Sequence, residues 1–292
     1  MSPSLSSPRI AIIGAGIIGL SCAWELAKRG AHVTLFDSGF YPGRGASWAA
    51  AGMLAPAYEA AAEPGVNPRL FDLCLKSARQ WIDMSGAIAA VTKRDVLHSI
   101  GPSLAVAQTA EDRIQLAGLA KALTARKIAF DVLSPDEAVQ AEPCLRVGNK
   151  GALRLPTDGQ VDNRLLVEAL IRALESQERV AFVTGTAPLA MVQGKIVLDG
   201  FDRVIFAAGW ETASVAVGEM PLGDIAPMLR KIEPVAGHML SFNRLPDGPA
   251  MTVRAGALYI VPKAGRLIVG ATMEPGETST RIDPAAINRL EA

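Results

Sequence analysis

The sequence predicts an α/β fold in which two domains alternate along the chain, and three observations support this prediction. "RIAIIGAGIIGLSCAWELAKRGAHVTLFD" has the pattern of a strand, a glycine-rich turn, a helix and a second strand. "RVIFAAGW", residues 203–210, is a continuous apolar strand of the kind that a parallel sheet buries on both faces. After residue 226 the chain is rich in strand-like segments. These features predict a Rossmann-like domain interleaved with an α+β domain that contains a mixed, largely antiparallel sheet.

Length and pattern together place the domain boundaries. A chain of 292 residues suggests about two domains. We assign residues 1–66 and 151–225 to the Rossmann-like domain. The stretch 67–150 mixes helices and strands without nucleotide-type glycines, so we assign it, together with 226–292, to the second domain.

The first domain opens with the elements expected of a βαβ unit. A strand over 10–13 precedes the glycines, and a second strand over 33–36 leads directly into Asp37. Gly30 is a typical C-terminal stop for the helix between them. The buried stripe of that helix is predicted to contain Ile18, Cys22 and Leu26, with Ala23 and Ala27 beside them.

Capping signals and apolar spacing predict the later elements. Asn67 caps a helix, Thr109 with Asp112 forms a second N-terminal pair, and "SPDE" at 134–137 is a capping box. Asp162 precedes a further amphipathic helix, and strands are expected near 103–107 and 128–133, at "VAFVTGT" and in "GHMLSF", "ALYIVPK" and "RLIVGATM". The buried face of the helix after Asn67 is predicted to contain Leu70, Leu73, Cys74, Ala78, Trp81 and Ile82.

Charge and cysteine content argue against several classes of protein. Lys plus Arg and Asp plus Glu both total 29, so no net charge draws the chain to nucleic acid or to an anionic membrane. The cysteines at 22, 74 and 144 are odd in number and far apart, which argues against a disulfide framework or a zinc site. No metal site is predicted, and no role is assigned to His32, His98 or His238. A cytoplasmic protein is expected, because the apolar run 10–24 is too short to span a bilayer.

The glycine motif has the context of a dinucleotide-binding turn. Gly14 allows the tight turn, Gly16 lets the backbone reach a pyrophosphate, and Gly19 allows close packing of helix and strand. The helix N-terminus stabilises the phosphate charge, and Asp37 can accept hydrogen bonds from the adenosine ribose. The alternative is a turn that needs glycines for structural reasons alone.

The segment "GASWAAAGMLAP", residues 45–56, has almost no functional groups and follows soon after this motif. Small side chains let main-chain amides approach a pyrophosphate and a large flat ring closely. Arg44 and Ser47 can add phosphate contacts. The alternative is an alanine-rich helix packed in a core.

These residues, with "VIFAAGW" and "YIVPKAGRLIVGATMEPG", resemble the D-amino-acid oxidase superfamily, and within it the glycine oxidases of thiamine biosynthesis. The resemblance covers essentially the whole chain. It implies non-covalent FAD in a two-domain fold, with a large mixed sheet in the substrate domain. The cofactor-binding residues that the motif and the resemblance together predict are Gly14, Gly16, Ile17, Ile18, Gly19, Asp37, Ser38, Arg44, Ala46, Ser47, Ala51, Gly52, Met53, Pro188 and Gly209.

The resemblance also implies a substrate side. Tyr259 matches a tyrosine near the substrate carboxylate, Met273 a methionine that lines the small pocket, and Met53 lies along the flavin. For Tyr259 the alternative is an ordinary strand aromatic, and for Met273 it is core packing. Ala257 stands where the glycine oxidases tend to have histidine. Arg254 is interpreted as an exposed turn residue, and the alternative is that it compensates for the missing histidine.

The activity that the resemblance implies is oxidation of glycine or another small amino acid, with O2 as electron acceptor and with the product supplied to thiazole synthesis. A homotetramer is implied in the same way. Alternatives are a D-amino-acid or sarcosine-type flavin dehydrogenase that passes electrons to a quinone, and an inactive FAD-binding protein. The last is considered because the family's carboxylate-binding arginine and its "G-H-x-R-N-G" segment lie beyond the "GATM" strand, and the sequence ends before both, so a fragment is expected.

Overall fold

The structure is a computed structural model that describes residues 7–39, 42–62, 67–145, 148–244 and 246–291. Its helices are α1 (Ile17–Lys28), α2 (Ala46–Ala49), α3 (Pro56–Ala62), α4 (Pro68–Thr92), α5 (Ala110–Ala125), α6 (Pro135–Ala141), α7 (Asn163–Glu175), α8 (Leu222–Ile225) and α9 (Pro284–Glu291), with 3-10 turns at Gly209–Ser214 and Pro227–Lys231.

The strands fall between these helices in chain order. They are β1 (Arg9–Ile13), β2 (His32–Asp37), β3 (Met53–Leu54), β4 (Ser99–Ile100), β5 (Ser103–Val106), β6 (Asp131–Leu133), β7 (Ala152–Leu155), β8 (Gly159–Gln160), β9 (Val180–Thr184), β10 (Ala190–Val192), β11 (Lys195–Val197), β12 (Arg203–Phe206), β13 (Ala216–Val217), β14 (Met220–Pro221), β15 (Val235–Ala236), β16 (Met239–Asn243), β17 (Thr252–Ala255), β18 (Leu258–Lys263), β19 (Arg266–Gly270) and β20 (Glu274–Pro275).

The chain divides into two compact units, each assembled from three separate segments. Unit 1 comprises Met1–Ala50, Ala87–Arg94 and Asn163–Pro234. Unit 2 comprises Ala51–Gly86, Asp95–Asp162 and Val235–Ala292. These limits differ from the predicted domain boundaries after residues 66, 150 and 225, because the chain leaves unit 1 after Ala50, returns to it briefly at Ala87–Arg94 and returns again at Asn163.

Unit 1 contains a four-stranded parallel sheet in the order β12-β1-β2-β9. Its central strands supply fully buried residues such as Ile12 and Leu35. β12 lies at the edge, and its residues are half-buried or exposed. The prediction that "RVIF" is buried on both faces was therefore wrong, because an apolar run does not by itself distinguish a central strand from an edge strand.

Helix α1 packs on this sheet through a stripe one position away from the predicted one. Its buried residues are Gly19, Leu20, Ala23, Trp24 and Ala27, whereas Ile18 is 65% exposed. The helix ends as predicted, with Gly30 at φ 88° and its N–H bonded to the Ala27 carbonyl. The helix and the burial of Ala23 and Ala27 were thus predicted correctly, but the predicted stripe of Ile18, Cys22 and Leu26 was wrong, because Leu20 and Trp24 are the large residues on the buried face.

Unit 2 contains a seven-stranded sheet in the order β16-β19-β18-β17-β5-β7-β6. All its pairs are antiparallel except β17 with β5, so the predicted mixed, largely antiparallel sheet is confirmed. One buried cluster joins α3 and α5 to strands β5 and β7, and consists of Ala57, Ala105, Leu119, Leu123, Leu153 and Leu155.

Local capping signals were predicted well, and the buried face of α4 was not. Thr109 and Ser134 both form complete capping boxes, and Oδ1 of Asn67 accepts the N–H of Arg69 at 2.9 Å. Three residues predicted to lie on the buried face of α4 are instead more than half exposed, namely Leu70, Leu73 and Ile82. None of the helices within the described residues is both long and apolar enough to cross a membrane.

Candidate functional site

The turn between β1 and α1 shows why glycine is needed at two of the three motif positions. A Cβ atom on Gly14 would lie 2.5 Å from the Ala207 carbonyl oxygen, and this residue has φ 103°. A Cβ atom on Gly19 would lie 1.9 Å from the Gly14 carbonyl oxygen. A Cβ atom on Gly16 would meet only Oγ of Ser47, at 3.4 Å. Gly14 and Gly19 therefore close the turn, while Gly16 leaves space at the helix N-terminus.

Asp37 holds this turn in place. Its Oδ2 accepts the backbone N–H of Ala15 at 2.7 Å, and its Oδ1 accepts that of Gly39 at 2.8 Å. Both carboxylate oxygens thus have donors from the chain itself. A carboxylate oxygen has more than one lone pair, so the predicted bond to a ribose hydroxyl stays a prediction that is compatible with these contacts.

The segment containing Ser47 is fixed beside the N-terminus of α1. Oγ of Ser47 accepts the N–H of Ile17 at 2.9 Å, which is one of the helix donors without an intrahelical partner. Nδ2 of Asn163, at the start of α7, donates to the carbonyls of Ser47 and Trp48 at 3.0 and 2.9 Å. Asn163 is buried, and no motif in the sequence singled it out; its position directly after "QVD" gave no signal of a bond 116 residues away.

Two arginines lie on the indole of Trp48. The guanidinium carbon of Arg44 is 3.5 Å from the ring centroid and that of Arg164 is 5.3 Å from it. Nε of Arg164 also donates to the Trp48 carbonyl at 3.3 Å. Unit 1 therefore places two positive charges around helix α2, next to Ser47.

The other predicted cofactor residues of unit 1 lie at chain turns or helix starts. Ile17 and Ile18 begin α1, Ser38 follows β2 and is exposed, and Ala46 begins α2. Pro188 is exposed and lies between two core residues, Ala187 and Leu189. Gly209 has φ 60° and begins the turn after β12.

The predicted flavin-facing residues of unit 2 lead into β3: Ala51 and Gly52 precede it, and Met53 is its first residue. Ala51 is buried against Val261 and Ile268, and Met53 packs on the same cluster. Gly52 has φ 71°, and its carbonyl accepts the N–H of Val161. The segment "GASWAAAGMLAP" is thus a short helix followed by a strand, and α2 has no buried residue, so it is not a core helix.

Arg254 is buried, and its interpretation as an exposed turn residue was wrong. The residue is 4% exposed and lies within β17. Its Nη1 donates to Oγ of Ser103 at 3.2 Å and lies 3.4 Å from Oδ2 of Asp158. Its Cζ is 4.4 Å from the ring centroid of Tyr58. Arg254 belongs to strand β17 and not to the hairpin turn that follows Ala255, which is why it is buried rather than exposed.

Tyr259 lies directly across from Arg254 in the β17–β18 pair. Its hydroxyl donates to Sδ of Met239 at 3.1 Å. A Cβ atom on Gly270 would lie 2.9 Å from the Tyr259 hydroxyl oxygen and 2.7 Å from Cγ of Met239. The glycine that ends β19 therefore makes the space that both side chains occupy.

Ser103 and Asp158 are site residues that the sequence reasoning missed. Ser103 donates to Oδ2 of Asp158 at 2.5 Å, and both are 2% exposed. Oδ1 of Asp158 is buried without a hydrogen-bond partner among the described residues. Burial raises the pKa of Asp158, although Ser103 and Arg254 act in the opposite direction. Asp158 lies in "TDGQVD", and no residue close to it in the sequence indicates that this aspartate is buried.

Two cavities of unit 2 meet at Arg254. The larger has a volume of about 410 Å³ and lies between α3, α5 and the β17–β18 hairpin. The smaller, of about 110 Å³, contains Asp158 and Gln160. Met273 lines neither of these cavities and is 70% exposed, and Ala257 is also exposed. The pocket role of Met273 stays a prediction.

The two units together define a class of protein: the chain has an α/β unit with the glycine turn typical of dinucleotide-binding proteins and a mixed-sheet unit with a buried arginine and a half-buried tyrosine. Comparison with known proteins narrows the class. A profile of the FAD-dependent oxidoreductase family matches residues 9–292. Glycine oxidase of Bacillus licheniformis is 30% identical over 287 residues, which cover 96% of this chain and 73% of that protein. Glycine oxidase of Geobacillus kaustophilus is 30% identical over 301 residues, covering 96% and 74%.

Solved structures agree with the sequence comparison. The crystal structure of glycine oxidase from Geobacillus kaustophilus has a TM-score of 0.81 and 28% identity, and covers 97% of this chain and 76% of that one. The chain belongs to the FAD-dependent oxidoreductase family. It is therefore an FAD-dependent enzyme.

The geometry of unit 1 fits this cofactor. Gly16 leaves space beside the N-terminus of a twelve-residue helix, where N–H groups and the helix dipole favour an anion. Arg44 and Arg164 add positive charge beside the segment that carries Ser47. A pyrophosphate is the part of FAD that such a site accommodates.

Proposed function

We propose that the protein oxidises a small amino acid, with glycine as the first candidate, and that O2 accepts the electrons. The observation that carries the proposal is Tyr259, a partly buried donor on the sheet face formed with Ala51 and Met53, in a chain that is 30% identical to glycine oxidases. Residues 17–19 and 44–47, together with Asp37, are proposed to hold the adenosine and phosphate end of the cofactor.

The proposed overall reaction converts an amino acid, O2 and water into an oxo acid, ammonia and hydrogen peroxide. Bound FAD would accept a hydride from the substrate Cα and pass the electrons to O2. The part of the protein is to hold the carboxylate through Tyr259, whose ring is packed against the buried cluster of Ala51, Val261 and Ile268. A neutral amine supplies its own electron pair, so no protein base is required. Supply of the product to thiazole synthesis is included in the proposal on the strength of the resemblance.

The test is a visible absorption spectrum of the purified chain, followed by anaerobic addition of glycine and then readmission of oxygen. Flavin bands that bleach with glycine and recover with one equivalent of peroxide support the proposal. Bands that bleach but recover only with a quinone identify a dehydrogenase instead. A flavin that no amino acid bleaches contradicts the proposal, and methylamine, which has no carboxylate, serves as the negative control.

A further inference from the structure

The segment that is predicted to face the flavin is held in place by β8. Strand β3 pairs with β8 in antiparallel register, with Met53 opposite Gln160. Directly after β8, the N–H of Val161 donates to the Gly52 carbonyl at 2.9 Å. The position of Gly52 and Met53 therefore depends on the position of β8 and Val161.

Lys263, in strand β18 of the seven-stranded sheet, bonds to the other side of Val161. The lysine is 5% exposed, and its Nζ donates to the Val161 carbonyl at 2.7 Å. A hydrogen bond from a charged donor is shorter than one between neutral groups and roughly twice as strong. Val161 thus links Lys263 to Gly52 through the two polar groups of its own backbone.

The same face of β18 also makes an apolar contact with this segment. Side chains alternate between the two faces of a strand, so Val261 and Lys263 lie on the same face. Val261 is fully buried and packs against Ala51, and Met53 packs on the same cluster. The segment is therefore attached to β18 by an apolar contact at Ala51 and by hydrogen bonds that lead to Lys263.

Two positive charges of the sheet converge on the residues after β8. Lys263 and Arg266 are directly opposite each other in the β18–β19 pair, where two like charges destabilise a sheet. Asp162 is 6% exposed and offsets them, because its Oδ2 accepts a hydrogen bond from Nη2 of Arg266 at 3.1 Å. Burial is the main cause that lowers the pKa of Lys263 to about 8, while Asp162 raises it and Arg266 lowers it.

Stability alone does not account for a lysine at this position. Burying an ammonium group costs more free energy than burying an apolar side chain of similar length, such as that of methionine. The neighbouring cluster at Val261 already supplies apolar contact. A charged donor at position 263 serves instead to hold the Val161 carbonyl in one place.

We propose that Lys263 is a positioning residue for the flavin. Through Val161 it holds Gly52 and Met53 where they contact the flavin ring, and this bond depends on the positive charge of Lys263. The inference rests on the proposed function in one respect, the predicted contact of residues 51–53 with the flavin. It does not depend on which amino acid is oxidised or on the electron acceptor.

The first experiment measures the dissociation constant for FAD at pH 7 by quenching of flavin fluorescence. Lys263→Met should raise it roughly 10-fold, as expected for loss of a bond from a charged donor, and Lys263→Arg, which keeps the charge, should recover part of the loss. Arg154→Met is the matched control, because Nε of Arg154 lies 2.8 Å from Oδ2 of Asp131 elsewhere in the same sheet. Equal constants for Lys263→Met and the wild type would overturn the proposal.

Hydrogen exchange in the FAD-loaded protein locates the effect. The amide of Val161 should exchange roughly 10-fold faster in Lys263→Met than in the wild type, whereas the amides of β7, in the same sheet, should keep their rates. Faster exchange at all of these amides would mean that the variant only loosens the fold. Unchanged exchange at Val161 would mean that Lys263 does not hold it, and either result overturns the proposal.

The pH dependence separates positioning from stability. Lys263 loses its charge as the pH rises through about 8, so the advantage of the wild type over Lys263→Met in FAD affinity should shrink between pH 7 and pH 9.5. Asp162 and Arg266, the charged groups that act on Lys263, are present in both proteins. Loss of a buried charge stabilises the fold, so an effect through stability alone would make the advantage grow. A constant or growing advantage overturns the proposal.

A second variant keeps the test decisive if Lys263→Met does not fold. Lys263→Gln retains an N–H donor without the charge. Its dissociation constant for FAD should exceed that of the wild type at pH 7 and approach it at pH 9.5. Equal constants at pH 7 would show that the charge of Lys263 has no part in holding the flavin.

These measurements need no substrate, so this inference and the proposed function can fail separately. If no amino acid bleaches the flavin but Lys263→Met weakens FAD binding as expected, the proposed function fails and the positioning role stands. If glycine bleaches the flavin but FAD affinity does not depend on Lys263, the positioning role fails and the proposed function stands.

Discussion

The most demanding single positions in unit 1 are those at which a side chain would collide with backbone. At Gly19 a methyl group would overlap the Gly14 carbonyl oxygen, which cannot move without breaking the turn that leads into α1. Because the colliding atom belongs to the backbone, no flexible side chain can move aside to make room. Gly19 therefore sets how closely α1 can approach β1.

We expect Gly19→Ala to destabilise the protein by about 3 kcal/mol, the upper range for overpacking a rigid site. Gly86→Ala is the control, because its Cβ meets open space within a helix and should be neutral or stabilising by up to about 1 kcal/mol. Urea denaturation at one fixed FAD concentration measures both. Equal midpoints for the two variants would contradict the expectation.

Lys263 is a second residue whose environment has a measurable effect. It is 5% exposed, its Nζ donates to the Val161 carbonyl at 2.7 Å, and burial lowers its pKa to about 8, against the opposing influence of Asp162. The unfolded chain has the ordinary lysine pKa of 10.5. Between these two values the unfolded state binds more protons than the folded state.

The lowered pKa of Lys263 therefore makes the stability of the fold depend on pH. The cost of burying the charged lysine is present below pH 8 and is relieved as the pH rises towards 10.5, so this residue makes stability increase with pH in that window. We expect the urea midpoint of the wild type, relative to Lys263→Met, to rise between pH 7.5 and pH 9.5. A constant difference across that range would show that the pKa of Lys263 is not lowered.

At the scale of elements, α7 positions the segment around Ser47. Asn163, the first residue of α7, bonds to two carbonyls of α2, and Ser47 in turn accepts the N–H of Ile17 at the start of α1. The side-chain amide of Asn163 and the hydroxyl of Ser47 thus link the start of α7 to the start of α1. We infer that Asn163 positions the segment that is proposed to hold the pyrophosphate.

We expect Asn163→Ala to raise the dissociation constant for FAD roughly 10-fold, because the carbonyls of Ser47 and Trp48 lose the amide that holds them and the segment around Ser47 loses its support. Gln177→Ala is the matched control: its side-chain amide, just beyond the other end of α7, donates to the Ala173 carbonyl within the same helix. Quenching of flavin fluorescence on titration measures both. Equal constants for Asn163→Ala and the wild type would exclude the positioning role.

The elements also show what a sequence can predict here. Capping at Thr109 and Ser134 depends on residues three positions apart, so local pattern was sufficient. The exposure of Leu70 and Leu73 on α4, the edge position of β12 and the burial of Arg254 depend on neighbours far along the chain, and local pattern misjudged all three. Ser103, Asp158 and Asn163 carry no motif, and only the fold shows their partners.

For the whole molecule, the cofactor is expected to stabilise the folded state by mass action. FAD at about 100 times its dissociation constant should add roughly 2.7 kcal/mol to the free energy of unfolding. FMN, which lacks the adenosine and the second phosphate, should stabilise less at equal concentration, because those groups are the ones that the proposed unit 1 site would hold. Thermal denaturation with each nucleotide measures the difference. Equal shifts of the unfolding midpoint would mean that the adenosine and the second phosphate contribute little to binding.

The arrangement of β1 has a consequence for how the protein is made. This strand lies between β2, which follows it closely, and β12, and the N–H of Arg9 donates to Asp202 across 193 positions. A ribosome therefore exposes an unfinished sheet edge until residue 206 has emerged, and closure of so long a loop slows folding. We expect nascent chains to need protection from aggregation until β12 has been synthesised and can pair with β1.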